Sequence, residues 1–332
     1  MGNRLHEISA VSDEDVASVA ERYGLGGVAS WSLCGQGLIN TNLRVVSVTG
    51  FEWLLRIYAP DRLESEVRFE LSVLEQLERA DFPAPRPLRD LEGEPLGRLG
   101  GRCFSVLTFL PGATVGQEGL TTSLARQVGS LYGAFRAAVA DFTPDGARES
   151  GDHEAVLPLL RTTLAAVAEA EPGVADHVRT AWESVEAAFR PDRDRATGVV
   201  HGDLFYENIL VRGGELVAFI DFDDAYCGLI LLDLALVVME FATPPDEILD
   251  GTLAAAVLDG YAQAVGELEY TGAELYDALL FLCCKFFCYT LELTLGEGEP
   301  ATANPYYRRL VDLTAPGRRA ALQEVLSARA IR

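Results

Sequence analysis

The sequence predicts an α+β fold in two lobes, a small β-rich N-terminal lobe at 1–112 and a larger, mostly helical lobe at 113–332. Short runs rich in β-branched residues, separated by glycine and proline turns, dominate the first lobe. Apolar residues at helical spacing dominate the second lobe, except for one island of β-type sequence at 198–222. With 332 residues the chain is long enough to bury a core in each lobe.

The small lobe should combine an antiparallel sheet with two helices. A helix is expected at 12–23, because Ser12 precedes three acidic residues, and acidic side chains favour a helix start. A second helix is expected at 62–79, where leucine and valine recur at helical spacing. The predicted strands are joined by short turns, which indicates antiparallel pairing; they are 30–34, 43–48, 53–58, 88–90 and 104–109.

The larger lobe should consist of helices around one embedded hairpin. A cleft between two lobes is a usual place for a small-molecule site. The apolar run at 229–238 is too short and too charged to span a bilayer. The helices expected from apolar spacing are 120–139, 154–170, 174–189, 229–241, 248–265, 273–295 and 306–331.

The charge balance excludes several classes of partner. The chain carries 27 basic and 50 acidic residues, a formal net charge of −23. Such a surface repels phosphate backbones, so we expect neither nucleic-acid nor anionic-membrane binding. Residues 1–7 are charged and lack an apolar core, so no signal peptide is predicted and the expected location is cytoplasmic. The sequence does not indicate an oligomeric state.

The island carries polar residues at both ends of a predicted hairpin. It reads HGDLFYENILV from His201, then a Gly213–Gly214 turn, then LVAFIDFD up to Asp223. A hairpin returns its ends to the same place. We therefore expect Asp203 and Asn208, before the first strand, to approach Asp221, after the second.

This set of oxygen ligands suits phosphoryl transfer. An aspartate beside an acceptor hydroxyl can take its proton, which is the role we assign to Asp203. An asparagine and an aspartate, here Asn208 and Asp221, can hold Mg²⁺ against nucleotide phosphates. The predicted cofactors are thus ATP and Mg²⁺.

The HGDxxxxN stretch followed by IDF resembles the aminoglycoside phosphotransferase and choline kinase superfamily, which is similar in fold to protein kinases. HGDLFYENIL at 201–210, GxxNTN at 37–42, VSDED near the start and FPAPRPLRD at 82–90 resemble the type II homoserine kinase branch most. The resemblance implies a bilobal protein-kinase-like fold. It also implies Asp203 as the catalytic base, Asn208 and Asp221 as metal ligands, and His201 as a residue that shapes the loop.

Two further acids accompany this motif. Asp233 lies in an apolar run, and we expect its carboxylate to be buried against the catalytic loop, with substrate contact as the alternative. A buried acid must be hydrogen-bonded to be tolerated. Asp223 could assist a metal or an ammonium-bearing substrate, and a solvated acidic turn is an equal alternative.

The small lobe is expected to hold the nucleotide. Small residues in a turn between two strands let backbone amides approach phosphate oxygens, and the residues predicted to do so are Gly35, Gly37, Asn40 and Asn42. The segment equivalent to a kinase hinge is 108–112, whose backbone should meet adenine, and its predicted nucleotide-binding residues are Thr108, Phe109 and Leu110. The apolar side chains expected around the adenine are Leu107 and Phe109.

Arg56 departs from the kinase pattern. Kinases of this shape place a lysine on the third strand, paired with a helix glutamate, and here that strand carries Arg56. Glu70 is its expected partner, with Glu66 one turn earlier as the alternative, and a surface arginine is the non-functional alternative. An arginine stays charged but is longer and forked.

The sequence thus predicts an ATP- and Mg²⁺-dependent kinase whose partner is a small metabolite with a hydroxyl acceptor. Homoserine is the first candidate acceptor by resemblance; aminoglycoside, choline-like and other amino-alcohol acceptors remain open. An inactive nucleotide-binding pseudokinase is the alternative from another class. Arg56 favours it, and the intact trio of Asp203, Asn208 and Asp221 argues against it.

Overall fold

The structure is a computed structural model that describes residues 11–34, 39–149, 151–191, 193–266 and 270–327. The chain divides into two compact units, and each unit is built from three separate segments of the chain. The first unit holds the chain up to Gly112 together with Phe142–Arg148 and Ala218–Asp223. The second holds Ala113–Asp141, Glu149–Val217 and the chain from Asp224 onward.

The first unit is a five-stranded antiparallel sheet with two helices. Its strands run in the order β1-β2-β3-β5-β4. In β2 every second side chain is buried, so that one face of the sheet covers the core. The elements in the described residues are α1 (Asp13–Arg22), β1 (Val28–Leu33), β2 (Thr41–Ser47), β3 (Glu52–Ile57), α2 (Glu64–Arg79), β4 (Leu96–Leu99) and β5 (Arg102–Thr108).

The start of α1 follows directly from the sequence. The Ser12 side chain accepts a hydrogen bond from the Asp15 amide, and the Asp15 carboxylate accepts one from the Ser12 amide. This reciprocal capping box satisfies two amides that the first helical turn leaves without partners. The buried side of α1, with Val16 and Val19, packs into the core of the sheet.

The predicted strand at 88–90 is wrong, and the fourth strand lies eight residues later, at β4. The Asp90 carboxylate accepts hydrogen bonds from the Glu92 and Glu94 amides, which folds this segment into a turn. Gly100 and Gly101 both have positive φ, as a two-residue hairpin turn requires, and this turn pairs β4 with β5.

The second unit is mostly helical. Its strands form two small ladders, β6 with β9 and β7 with β8. The last residues of β8 belong to the first unit, so the chain leaves the second unit within this strand. The elements are α3 (Thr122–Val139), α4 (His153–Ala170), α5 (Pro172–Val185), β6 (Thr197–Val200), β7 (Ile209–Arg212), β8 (Glu215–Phe219), β9 (Tyr226–Leu229), α6 (Ile230–Phe241), α7 (Gly251–Val265), α8 (Gly272–Gly296), α9 (Pro305–Thr314) and α10 (Arg318–Ser327).

Two predictions for this unit are corrected. Strand β9 was not expected, because its four residues carry no alternation of their own and form a strand only by pairing with β6. The single helix expected at 306–331 is two helices, α9 and α10. Pro316 lacks the amide that a continuous helix needs, and Gly317 has a φ of 79°.

Helix α8 is longer than the apolar run at 229–238. Among the described residues it is the one helix long and apolar enough to cross a membrane by length and composition. Its most apolar window is 61% buried inside the protein, however, and the helix packs against α5, α6, α9 and α10. A helix that is apolar on most sides and surrounded by others is a core helix.

Candidate active site

The predicted catalytic loop connects β6 to β7 in the second unit. Asn208 is buried, and its Nδ2 donates hydrogen bonds to the Asp203 carbonyl oxygen at 2.7 Å and to Asp203 Oδ2 at 3.2 Å. Two of the predicted site residues, five positions apart, are thus brought into direct contact. The asparagine holds the aspartate in one orientation, as a catalytic base requires.

Asp233 of α6 fastens the start of this loop. Its buried carboxylate accepts hydrogen bonds from the His201 amide at 3.1 Å and the Gly202 amide at 2.9 Å. The Tyr132 hydroxyl of α3 donates a third bond at 2.9 Å. This is the buried contact with the loop that the sequence predicted. His201 itself is fully buried, so that its ring lies inside the unit.

Gly202 is required by the shape of the loop. Its φ of 80° lies in the left-handed region, and a Cβ at this position would be 2.3 Å from the Asp224 carbonyl oxygen. Any other residue would push the chain away from the position next to Asp203.

The first unit contains a separate cluster around Arg56, which extends from β3 and is 5% exposed. Its Nη1 lies 2.9 Å from Glu70 Oε1 on α2, and its Nη2 lies 2.8 Å from Asp221 Oδ1. The Glu70 partner is therefore the one formed, while Glu66 accepts a hydrogen bond from the Leu63 amide at the start of α2. The surface-arginine alternative does not apply.

Asp221 is strained and incompletely paired. Its φ is 65°, a left-handed conformation that costs free energy outside glycine. The Arg56 contact lacks hydrogen-bond geometry, and the enclosed Oδ1 accepts no hydrogen bond from the described residues, although 37% of the side chain is exposed. Burial raises the pKa of Asp221, Arg56 opposes that rise, and the Asp223 carboxylate adds to it.

Asp223 is buried in the same cluster and accepts hydrogen bonds from several of its members, so the alternative of a solvated acidic turn is wrong. Its buried Oδ2 accepts hydrogen bonds from Asn40 Nδ2 at 2.5 Å and from Arg62 Nη2 at 3.2 Å. Arg148 donates to its carbonyl oxygen. Burial acts to raise the pKa of Asp223, but Arg56 and Arg62 outweigh it and lower that pKa.

Arg62 and Arg148 were missed by sequence reasoning. Arg148 reaches Asp223 because the segment Phe142–Arg148 packs with the first unit although it follows α3 of the second. An exchange of this kind between units leaves no local signal in the sequence.

The asparagines predicted to hold the nucleotide are used inside the first unit. Asn40 Oδ1 accepts a hydrogen bond from the Ala59 amide at 3.1 Å while its Nδ2 holds Asp223. Asn42 Oδ1 accepts one from Arg56 Nε at 3.0 Å. Both therefore orient charged residues of the cluster. Gly35 and Gly37 lie outside the described residues.

The predicted hinge follows the end of β5. Thr108 exchanges backbone and side-chain hydrogen bonds with Arg86, which fixes the end of the strand. Phe109 and Leu110 are half-buried, and the Arg44 guanidinium lies 4.9 Å from the Phe109 ring centroid. Two half-buried apolar side chains at a strand end can contact a flat ring.

The two predicted metal ligands, Asn208 and Asp221, both carry side-chain oxygens. Asn208 turns its Nδ2 to Asp203, and its Oδ1 accepts no hydrogen bond from the described residues. Asp221 Oδ1 also accepts no hydrogen bond from the described residues, although it lies 2.8 Å from Arg56 Nη2. Hard oxygens of this kind fit Mg²⁺, which takes one or two protein ligands in addition to substrate phosphates. No group of three His, Cys, Asp or Glu in the described part of the chain could hold a metal.

A charged network in the second unit, around Arg309, was also missed by sequence reasoning. Arg309 of α9 forms ion pairs of 2.6 Å with both Glu240 of α6 and Glu247. The Tyr306 hydroxyl donates to Glu240 at 3.2 Å, and the Asp203 carboxylate lies within electrostatic reach of Tyr306. The bonded partners are more than 60 positions apart in the sequence. No local spacing could therefore indicate the network.

Comparison with known proteins shows that the chain is a small-molecule kinase and identifies its family. The model of the phosphotransferase enzyme family matches residues 30–266. The chain therefore belongs to the phosphotransferase enzyme family. Membership of a kinase family implies ATP as the phosphoryl donor.

Similar sequences agree with this assignment. A homoserine kinase of Methylobacterium radiotolerans is 31% identical over 273 residues, 82% of each chain. One from Chelativorans sp. is 29% identical over 294 residues, 87% of this chain and 88% of the relative.

Two solved structures share the fold at low sequence identity. Amicoumacin kinase hAmiN, in complex with AMP-PNP, Ca²⁺ and Ami, has a TM-score of 0.68 at 17% identity over 93% of this chain and 98% of the other. A microcompartment-associated aminopropanol kinase has a TM-score of 0.66 at 18% identity, over 96% and 99%.

Proposed function

We propose that the chain transfers the γ-phosphate of ATP to the hydroxyl of a small metabolite, with homoserine as the first candidate acceptor. The observation that carries this proposal is the fastened loop. Asn208 orients Asp203, and Asp233 holds the two amides before it. A loop so firmly fixed serves a reaction in which positioning supplies much of the rate.

In the proposed reaction, Asp203 accepts a hydrogen bond from the acceptor hydroxyl and takes its proton as the oxygen attacks the γ-phosphorus. The bond from the γ-phosphorus to the β–γ bridging oxygen breaks, and ADP leaves. Asn208 keeps the carboxylate turned towards that hydroxyl. Arg56, held by Glu70 and Asn42, supplies positive charge for phosphate oxygens. Asn40 and Arg62 act one step further away, because they hold Asp223 and through it the segment that carries Asp221.

Asn208 and Asp221 are the proposed ligands of Mg²⁺. When bound, the metal neutralises negative charge on the phosphates, which an acidic protein could not accept alone. The ion pair between Arg56 and Asp221 supplies that carboxylate with a counter-charge of its own.

Support for the acceptor comes from the relatives named homoserine kinase, which cover most of the chain. The solved kinases named for amino alcohols and antibiotics share only the fold. We therefore propose a hydroxylated amino acid as the acceptor, in preference to an amino alcohol or an aminoglycoside. We also propose that the enzyme is cytoplasmic.

The test is ADP release by the purified full chain with ATP, Mg²⁺ and a panel of hydroxylated metabolites, homoserine included. Turnover with one acceptor is expected. Asp203→Asn should lower kcat by about 10²- to 10⁴-fold, because a positioned general base contributes on that scale.

Asp176→Asn is the matched control. Asp176 is an exposed acid on α5 whose partner is Arg179, so the same chemical change there should leave kcat unchanged. Full turnover in Asp203→Asn would remove Asp203 as the base. ATP binding without turnover of any acceptor would support the inactive pseudokinase instead.

A further inference from the structure

Lys285 is the only lysine among the 332 residues and stands in the middle of the core helix α8. It is 7% exposed, in a protein whose other basic residues are all arginine. Burying an ammonium costs several kcal/mol unless a partner of opposite charge or a set of hydrogen bonds compensates. The position therefore needs a reason.

The ammonium has aromatic neighbours but no direct partner. Its Nζ lies 5.2 Å from the Phe286 ring centroid and 5.9 Å from that of Tyr226. None of the described residues accepts a hydrogen bond from it or forms an ion pair with it. An ammonium has three hydrogens to donate. Because none of the described residues accepts one, a bound anion could accept hydrogen bonds from them.

Lys285 belongs to the region of the catalytic loop. The Tyr226 ring closes on Gly202, where a Cβ would be 3.0 Å from the ring, and Gly202 precedes Asp203. On the other side, Phe286 stacks on Tyr306 with centroids 5.1 Å apart. The Asp203 carboxylate acts electrostatically on both Lys285 and Tyr306. A ligand whose hydroxyl meets Asp203 would thus come near the ammonium.

Two nearby carboxylates, those of Asp152 and Asp233, accept hydrogen bonds from groups other than the Lys285 ammonium. Asp152 accepts hydrogen bonds from the Tyr226 hydroxyl at 2.9 Å and the Leu229 amide at 3.0 Å. Asp233 is committed to the catalytic loop. Burial lowers the pKa of Lys285, and Asp152, Asp233, Asp203 and Asp224 oppose that shift in this order. These acids favour the charged ammonium from a distance and leave its contact position to a ligand.

We propose that Lys285 binds a carboxylate of the phosphoryl acceptor, so that this enzyme selects hydroxy acids over amino alcohols. The inference rests on the proposed kinase function and names the acceptor class for the same site. An acceptor with an amino group and no carboxylate would leave the ammonium without its partner. Lys285 would then separate two classes of acceptor that both carry an ammonium and a hydroxyl and differ in the carboxylate.

The test compares homoserine with 3-aminopropan-1-ol, which is the same molecule without its carboxylate. Lys285→Met retains the length and apolar stem of the side chain and removes the charge, and Lys285→Arg retains the charge. Arg179→Met, at an exposed position on α5, controls for loss of a positive charge elsewhere. KM and kcat are measured for each acceptor with the full chain, ATP and Mg²⁺, and Tm is recorded.

Wild type should prefer homoserine. Lys285→Met should raise KM for homoserine by about 10- to 100-fold, as expected for a lost charge-assisted hydrogen bond. Its kcat/KM for 3-aminopropan-1-ol should stay level or rise, Lys285→Arg should retain part of the preference, and Arg179→Met should match wild type. Equal loss on both acceptors, or no loss on homoserine, would overturn the inference and leave the kinase function standing.

The failure of the proposed function looks different. If wild type phosphorylates neither acceptor, the acceptor proposal falls, and thermal shift with homoserine decides the role of Lys285. Stabilisation of wild type but not of Lys285→Met would support carboxylate binding. Equal shifts, or none, would overturn it.

Discussion

Asp233 shows how one buried side chain can hold a loop in place. Its carboxylate accepts three hydrogen bonds, two from consecutive amides and one from Tyr132. A carboxylate is well suited to this, because its two oxygens can each serve a different amide. The catalytic loop is thereby fixed by a residue some thirty positions away.

Replacement of Asp233 should therefore affect both stability and catalysis. Asp233→Ala leaves the His201 and Gly202 amides without an acceptor, and each buried unpaired group costs about 1–3 kcal/mol. We expect the free energy of unfolding in urea to fall by about 2–5 kcal/mol and kcat to fall with it. Tyr132→Phe, which removes only the third bond, should cost about 1 kcal/mol. Wild-type stability in Asp233→Ala would contradict this account.

Arg56 stands where kinases of this shape place a lysine, and its contacts differ from those that a lysine could make. Three of its nitrogens are used, one each for Glu70, Asp221 and Asn42. A lysine offers one nitrogen and could not reach all three partners. The arginine thus links the helix glutamate and the proposed metal ligand within a single rigid fork.

At the scale of elements, α3 and α7 pack closely against each other in the second unit. Glycines let the two backbones approach. A Cβ on Gly129 would be 1.9 Å from the Val257 carbonyl oxygen, and a Cβ on Gly260 would be 2.0 Å from that of Arg126. The contact positions Tyr132, one turn further along α3, for its bond to Asp233.

Alanine at Gly260 should therefore destabilise the protein, although alanine favours helices by up to about 1 kcal/mol over glycine. The added Cβ meets backbone that cannot move aside, so we expect a loss of about 1–3 kcal/mol. Gly173→Ala is the matched control. Gly173 lies in the first turn of α5, and nothing lies within 4 Å of its Cβ position, so this variant should be neutral or slightly stabilising. Urea unfolding of both variants measures the difference, and a stabilised Gly260→Ala would refute the close contact.

The ladder of β6 with β9 has a similar positioning role. Val200, the last residue of β6, pairs with Tyr226, so the chain enters the catalytic loop from a fixed point. Tyr226 in turn contacts the loop at Gly202 and the ammonium of Lys285. One short strand thus links the loop to the proposed acceptor site.

At the scale of the whole molecule, the net charge of −23 should make stability depend on salt. Like charges repel in the compact state, and salt screens them: the Debye length falls from about 30 Å at 0.01 M to about 3 Å at 1 M. We expect Tm to rise between 10 mM and 0.5 M NaCl. KCl should act equally, because screening depends on ionic strength, and sucrose at matched osmolality separates screening from solute exclusion. A flat or falling Tm in both salts would mean that attractive ion pairs outweigh the repulsion.

The sequence by itself determined most of the elements and the contact of Asp203 with Asn208 in the loop that we propose to be catalytic. Periodic apolar spacing fixes which segments become helices, and the capping residues fix where α1 begins, because both effects act within a few residues. The HGDxxxxN stretch similarly placed Asp203 beside Asn208, since five residues cannot separate them far.

Only the tertiary structure decided which distant residues meet. The contacts of Arg148 with Asp223 and of Arg309 with Glu240, and the burial of Lys285, depend on how whole elements pack. Strand β9 exists only because β6 offers it hydrogen bonds, and the turn at Asp90 prevails over a strand because one carboxylate captures two amides. Long-range pairing of this kind is set by burial and hydrogen-bond satisfaction across the fold, and the local sequence carries little of that information.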